Sequence, residues 1–120
     1  MRVVEQEEKR MIPVYIQPGV QVFPDGREVC DLKTVAGRRE FRLRVLLMWH
    51  RQGERCCLCH HLNFVKWMEF EHQDGKGMGG AHRDDRIMKD GKPYNGASCH
   101  WCNAAKGSRR IDYNADSQSR

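Results

Sequence analysis

The chain has 120 residues, a length that predicts a single domain. Its residues are 39% hydrophobic and 31% charged, and its net charge of +5 favours a polyanionic partner. The longest apolar run, residues 45–49, is far too short for a membrane helix, and residues 1–11 lack the apolar stretch of a secretory signal. We therefore expect a cytoplasmic protein without a membrane segment, whose six cysteines meet a reducing environment.

Residues 1–54 are predicted to form an N-terminal extension, a β-hairpin and an amphipathic helix, that packs on the core; residues 1–13 are a loosely held lead-in. Valines alternate before the turn at residues 24–26 and Val29 follows it, which predicts a hairpin over about residues 20–30. The helix is predicted to begin after Thr34, a good N-cap residue, and to end near Gly53. Its first half carries an arginine cluster, either a solvated face or a phosphate contact: Arg38, Arg39, Arg42 and Arg44.

Residues 55–110 are predicted to form the core of the domain, and residues 111–120 a polar tail. Alternating apolar residues predict a strand over residues 66–72, which ends at Glu71-His72. A glycine-rich loop at residues 75–80 follows, then a short strand near residues 86–88 and a helix over residues 98–106.

Two CxxC pairs bracket this region: Cys56 and Cys59, and Cys99 and Cys102. Two such pairs can supply the four thiolates of a tetrahedral site, and zinc suits such a shell because it is soft and redox-inert. The sequence therefore predicts a structural Zn²⁺ ion. Cys57, His60 and His61 are close enough in sequence to be alternative ligands, although we interpret Cys57 and Cys30 as packing residues.

Between the two pairs lie Glu71 and His72 at a strand end, Asn95 in a loop and Asn103 on the last helix. A strand–loop–strand–helix arrangement would bring Glu71, His72 and Asn103 together around one divalent cation. Carboxylate and amide oxygens are ligands that hard cations such as Mg²⁺ accept.

The combination of CCLC, EFEHQDGKGMGG, HRDDR and NGASCHWCNAAKGSRR resembles the HNH endonuclease family in its zinc-bound form. The resemblance covers roughly residues 55–110 and implies an α+β fold, a small zinc-stabilised ββα-metal domain. It implies His72 as the general base, Asn95 as the residue that orients it, and Glu71 and Asn103 as ligands of a catalytic Mg²⁺ or Mn²⁺ ion. Glu71 stands where the family commonly has Asp.

The resemblance further implies hydrolysis of DNA phosphodiester bonds, by nicking or double-strand cutting, with 5′-phosphate and 3′-hydroxyl products. Basic residues near the site are expected to contact the DNA backbone: Lys76, Lys106, Arg109 and Arg110. We interpret His100 as structural or DNA-facing. Two alternatives stay open, a non-catalytic zinc module that binds nucleic acid and a zinc protein that binds a partner. The sequence does not predict an oligomeric state.

Overall fold

The computed structural model describes residues 14–74 and 82–106. This part of the chain is α+β, with two helices and small antiparallel sheets. We number its elements β1 (Val14–Gln17), β2 (Val20–Val22), β3 (Glu28–Cys30), α1 (Val35–Arg51), β4 (Met68–Glu71), β5 (Met88–Lys89), β6 (Lys92–Pro93), β7 (Gly96–Cys99) and α2 (His100–Lys106). A 3-10 turn, Val65–Trp67, leads into β4.

The first three strands form an antiparallel sheet in the order β1-β2-β3. The predicted hairpin is confirmed, because Val20 pairs with Cys30 and Val22 pairs with Glu28. Its turn is closed by the N–H of Gly26, which donates to the carbonyl of Phe23 at 2.9 Å. β1 adds a third strand to this hairpin, and the predicted lead-in at residues 1–13 lies outside the described residues.

Helix α1 begins where its capping signal predicts. Thr34 Oγ1 accepts a hydrogen bond from the N–H of Gly37 at 2.9 Å, and Gly53 follows the helix with a positive φ of 72°. Gly37 allows the preceding loop to pack against the first turn, since a Cβ at this position would lie 1.9 Å from the carbonyl oxygen of Asp31. The start of α1 is thereby fixed against the end of the first sheet.

Strands β4 and β7 form the antiparallel sheet that carries the predicted site, with Met68 opposite Cys99 and Glu71 opposite Gly96. The predicted strand over residues 66–72 is shorter than expected, because the 3-10 turn occupies its first residues. The predicted helix over residues 98–106 begins only at His100, since residues 96–99 are extended by pairing with β4. The short strand expected near residues 86–88 is β5, which pairs with β6.

Helix α1 packs across this sheet and closes the hydrophobic core. Val45 and Met48 are 2% and 0% exposed, and they cluster with Met68, Phe70 and Ala97. Burying each side chain of this size contributes about 1.5–3 kcal/mol. Two of the predicted zinc ligands, Cys56 and Cys99, belong to the same cluster, so the core supports these two cysteines directly.

The arginine cluster of α1 divides into buried and exposed members. Arg44 is 8% exposed and forms ion pairs with Glu28 at 2.9 Å and with Glu40 at 3.3 Å. Its guanidinium also donates to the carbonyl of Asp85 at 2.8 Å. The prediction of a solvated or phosphate-contacting face is therefore wrong for Arg44, which ties α1 to β3 and to the loop after residue 82. The remaining members are exposed: Arg38, Arg39 and Arg42.

Candidate active site and metal centre

The two CxxC pairs converge where β7 meets α2. The four sulfur atoms all lie within 4.8 Å of one another: those of Cys56, Cys59, Cys99 and Cys102. With zinc–sulfur bonds of about 2.3 Å, sulfurs at tetrahedral corners are about 3.8 Å apart, so the cluster is close to a closed ligand shell. The prediction of a four-cysteine cluster able to bind a metal such as zinc is confirmed.

Backbone N–H groups converge on the sulfur of Cys56, those of Leu58 at 3.4 Å, Cys59 at 3.5 Å and Cys99 at 3.4 Å. Burial acts to raise the pKa of this thiol, but the donors outweigh it and hold the pKa of Cys56 below its ordinary value. Such donors stabilise a thiolate, the form that binds metal. The local backbone is therefore arranged for a negatively charged sulfur.

The two remaining cysteines are buried, as expected of packing residues. Cys30 is 0% and Cys57 6% exposed, and neither belongs to the four-cysteine cluster. Burial raises the pKa of Cys30 to about 11, and burial also raises the pKa of Cys57 strongly. Among the described residues, the alternative ligands His60 and His61 also lie outside that cluster.

A cleft of about 320 Å³ lies between α1, β4 and α2. Two residues with predicted catalytic roles, His72 and Asn103, line this cleft. Glu69, which was not assigned from the sequence, lines it as well, together with Arg42 of the arginine cluster on α1. The remaining lining is apolar: Phe41, Val45, Met68 and Phe70.

The ring of His72 is held by Asp85. The distance between His72 Nε2 and Asp85 Oδ1 is 2.8 Å, and the two side chains are 8% and 0% exposed. Asp85 in turn accepts hydrogen bonds from the guanidinium of Arg83 at 2.6 Å and 3.0 Å, and from the N–H of Cys30 at 2.8 Å. On its face, the ring of His72 stacks on Phe70 with 4.5 Å between centroids. Asp85 therefore holds the edge of the His72 ring, and Phe70 packs against its face.

The hydrogen-bond partners of Asp85 decide which nitrogen of His72 carries the proton. Burial acts to raise the pKa of Asp85, but the contacts with His72, Arg83 and Cys30 outweigh it and hold the pKa below its ordinary value. Asp85 is therefore a carboxylate, which only accepts hydrogen bonds. His72 Nε2–H donates to it, which leaves Nδ1 as the ring nitrogen directed away from Asp85.

Asn95 joins the end of β4 to the loop that contains Asp85. Its side-chain oxygen accepts the N–H of Gln73 at 2.9 Å, and its amide donates to the carbonyls of Asp84 at 2.8 Å and Arg86 at 2.7 Å. Asn95 is 0% exposed and has a φ of 59°, a conformation that Asn tolerates better than most residues. In this position it ties the segment after His72 to the loop that holds the imidazole.

Asn103 is paired with Glu69 across the edge of the cleft. Its amide nitrogen donates to Glu69 Oε1 at 2.8 Å, while His100 Nδ1 lies 2.8 Å from Glu69 Oε2. Burial opposes ionisation of Glu69, but the hydrogen bonds from Asn103 and His100 outweigh it, so its pKa lies below the ordinary value. Glu69, His100 and Asn103 thus form a polar cluster around an ionised carboxylate.

Glu71, the predicted cation ligand, is paired with Lys106. The two charged groups lie 2.7 Å apart, and both side chains are 2% exposed. Ser98 donates to the second carboxylate oxygen of Glu71 at 3.0 Å, and Lys106 also donates to the carbonyl of His72 at 2.8 Å. Lys106, expected to contact phosphate, instead faces the interior because it neutralises a buried carboxylate there. Glu71 is not among the residues that line the cleft.

The HRDDR segment forms an ion-paired loop. Arg86 pairs with Asp84 at 2.7 Å, and Arg83 pairs with Asp85 at 2.6 Å. The contact of Asp85 with His72 was not assigned from the sequence. The sequence signal that could have indicated this contact is the pair of adjacent aspartates between two arginines. The other residues expected to bind the DNA backbone lie outside the described residues: Lys76, Arg109 and Arg110.

No helix in residues 14–74 and 82–106 has the length and apolarity required to span a bilayer. Comparison of the whole chain with protein-family models, curated proteins and solved structures finds no match.

Proposed function

We propose that this chain is a metal-dependent endonuclease of the HNH type, which hydrolyses DNA phosphodiester bonds in the cleft between α1, β4 and α2. The observation that carries the proposal is the buried pair of His72 and Asp85, 2.8 Å apart, with His72 in the lining of the cleft. An imidazole oriented by a carboxylate is a common arrangement for a general base. The resemblance of residues 55–110 supplies the reaction class.

His72 accepts the proton of the attacking water in this proposal. Because Nε2–H is donated to Asp85, Nδ1 is the nitrogen that accepts, and the imidazolium that forms is stabilised by the buried carboxylate. Arg83 keeps Asp85 ionised and aligned through two hydrogen bonds. Asp85 is thus the positioning residue that the sequence analysis did not assign, and Asn95 holds the two segments together.

A divalent cation, Mg²⁺ or Mn²⁺, would supply charge stabilisation to the phosphate and the leaving oxygen when bound. Oxygen donors for such an ion are present on the α2-facing side of β4, in Glu69 and Glu71, and on α2, in Asn103. Glu69 lines the cleft with Asn103, whereas Glu71 would have to exchange Lys106 for the cation. Both carboxylates are therefore candidates, and mutagenesis separates them.

Backbone contacts to the substrate are assigned to exposed basic residues. Arg42 lines the cleft, and its guanidinium donates to the carbonyl of Met68 at 2.7 Å and to that of Val65. It therefore places a permanent positive charge beside the proposed reaction centre. Together with the net charge of +5, this favours a polyanion as the substrate.

Zinc in the four-cysteine cluster has a structural role in this proposal. A shell of four thiolates leaves no position for water or substrate, which is the hallmark of a structural site. The cluster joins the loop after α1 to the junction of β7 and α2, and so it fixes the helix that carries Asn103.

The proposal is tested with an end-labelled DNA duplex and a supercoiled plasmid, each incubated with the zinc-loaded protein and Mg²⁺ or Mn²⁺. We expect cation-dependent cleavage that leaves 5′-phosphate and 3′-hydroxyl ends. DNA binding without cleavage in any divalent cation would contradict the proposal and favour a non-catalytic zinc module. One observation favours that second candidate, namely the ion pair of Glu71 with Lys106, which occupies the carboxylate expected to hold the cation.

The cation ligand is identified by comparing two proteins, the single variant Glu69→Gln and the double variant Glu71→Gln/Lys106→Met. The double variant also removes the ammonium that Glu71 neutralises, so a loss of its activity does not result from a buried positive charge without its carboxylate. If Glu69 holds the cation, Glu69→Gln abolishes cleavage and the Glu71→Gln/Lys106→Met protein retains it. The reverse pattern assigns the cation to Glu71.

A further inference from the structure

A second concave surface lies beside the cleft. It is a groove of about 870 Å³ between the loop after α1, the 3-10 turn and α2. Three of its aromatic side chains are unusually open to solvent, Phe64 at 75%, Trp101 at 62% and Trp67 at 47%. We call this surface the aromatic groove. Rings of this size are normally buried in a single domain, so their exposure marks an interaction surface.

From the geometry we infer that the aromatic groove binds unpaired nucleotides of a nucleic-acid substrate by stacking on Phe64, Trp67 and Trp101. The inference rests on the proposed function for the identity of the polyanion, and it names the form of DNA that the chain prefers. Exposed aromatic rings next to basic groups are the usual way in which proteins hold single strands, because every base offers a π-face.

The rings of Trp67 and Trp101 do not stack face to face on each other. The centroids of Trp67 and Trp101 are 6.1 Å apart and their planes are tilted by 46°, so neither ring covers the other. Trp49, by contrast, is held in the groove wall because its indole N–H donates to the carbonyl of Asn63 at 2.9 Å. The surface therefore combines a fixed wall with open rings.

The charges around the aromatic groove fit a phosphate backbone. The ammonium group of Lys66 lies 5.2 Å from the ring of Trp67, and the guanidinium of Arg42 donates to Val65 in the groove wall. Glu54 is the acidic member of the lining, and its carboxylate lies 3.8 Å from His50 Nδ1. A base stacked on the rings would leave its phosphate beside Lys66 or Arg42.

The groove and the cleft are adjacent along two elements. Trp67 lines the groove and Met68, the next residue, lines the cleft. On α2, Trp101 lines the groove and Asn103, two residues further along, lines the cleft. Arg42 contacts the carbonyls of both Val65 and Met68 and so lies between the two surfaces. We therefore expect a strand that leaves the cleft past Arg42 to reach the aromatic groove, which favours DNA with a single-stranded stretch next to the cut site.

The experiment measures the affinity of the full zinc-loaded chain for labelled oligothymidylate and for a blunt duplex, without added Mg²⁺. The variants are Phe64→Ala, Trp101→Ala and Trp101→Phe, and the matched control is Leu62→Ala, an exposed apolar residue of the same groove without a π-face. Trp101 lies within the second CxxC pair, so its substitution can disturb the four-cysteine cluster. Phe64 lies outside both pairs, and Phe64→Ala therefore tests stacking independently of the cluster.

We expect each alanine variant of an aromatic residue to weaken oligothymidylate binding about tenfold, while Trp101→Phe and Leu62→Ala stay within about twofold of the wild type. Duplex affinity should change little. The inference is overturned if Leu62→Ala weakens binding as much as Phe64→Ala, if single-strand and duplex affinities fall together, or if sedimentation shows that the groove joins two copies of the chain. Binding is measured apart from cleavage, so absence of nuclease activity would sink the proposed function without deciding this result.

Discussion

Lys106 Nζ lies 2.7 Å from Glu71 Oε1, with both side chains 2% exposed. The pair joins the end of α2 to β4, directly beside His72, whose carbonyl oxygen accepts a second hydrogen bond from Lys106. A buried ion pair is costly to form, but it is more costly to break, because the remaining charge is left without a partner. The contact therefore positions the strand end on which the proposed general base lies.

The ion pair of Glu71 and Lys106 predicts that a single substitution lowers the free energy of unfolding much more than the double substitution does. Glu71→Gln should lower the free energy of unfolding by about 3–5 kcal/mol, because it removes the negative charge that neutralises a buried ammonium. The double variant Glu71→Gln/Lys106→Met should recover most of this loss. Urea unfolding monitored by circular dichroism measures both values. Equal stability of the single and double variants would show that the pair does not hold α2 on β4.

Asp85 predicts a dependence of stability on acid. Its pKa is lower in the folded chain than in the unfolded chain, so its contribution is complete above the unfolded value of about 4 and is lost as the pH falls further, through the folded value. The free energy of unfolding of the wild type should therefore decrease more steeply below pH 4 than that of Asp85→Asn. Metal release at low pH affects both proteins, so the difference between them isolates the carboxylate. Parallel curves would contradict the assignment.

The metal centre predicts a defined thiol count. A zinc-loaded chain should contain one zinc ion, and a chelator should expose the four cluster thiols to a thiol reagent. Cys30 and Cys57 should react only on unfolding, because burial raises the pKa of both thiols and shields them from the reagent. Six rapidly reacting thiols in the native protein, or four cluster thiols that react equally fast with and without the chelator, would contradict the assignment of these four cysteines to a closed zinc site.

The buried arginine of α1 predicts a contrast with its exposed neighbour. Arg44→Ala should lower the free energy of unfolding by about 2–3 kcal/mol, since it leaves the buried carbonyl of Asp85 and the carboxylates of Glu28 and Glu40 without their donor. Arg39→Ala, on the exposed side of the same helix, should change it by less than about 0.5 kcal/mol. Thermal unfolding of both variants makes the comparison. If the two variants lose similar amounts of unfolding free energy, Arg44 is not a buried structural residue and the prediction of a solvated face is right for it.

Locally encoded features of this fold were predictable from the sequence. The hairpin follows from valine alternation and a Pro-Asp-Gly turn, and α1 from the Thr34 cap, because each signal acts within a few residues. β7 was not predicted, since GASC carries no apolar alternation and its extended form depends on pairing with β4. The four-cysteine cluster was predictable because the spacing within each CxxC pair already limits the geometry.

The parts of the site that the sequence analysis missed all depend on contacts between distant segments. Asp85 reaches His72 only because the loop after residue 82 packs against β3, and Asn95 ties that loop in place. The burial of Lys106 has a signal that was available, however. Asn103 and Lys106 are three residues apart on a helix, and Glu69 and Glu71 are two apart on a strand, so each pair shares a face. A polar pair on a helix face and an acidic pair on a strand face indicate contacts between the helix and the strand. Lys106 is therefore better interpreted as a partner of Glu71 than as a residue that faces DNA.

The most direct test of the proposed function is the rate of plasmid cleavage by His72→Ala relative to the wild type, in Mg²⁺ or Mn²⁺. His72→Gln, which preserves more of the side-chain volume, and the zinc content of each variant serve as controls for folding. We predict that both variants keep their zinc and circular dichroism spectrum and lose at least about a hundredfold in rate, as expected for removal of a general base. Cleavage by a folded His72→Ala protein at the wild-type rate would contradict the account.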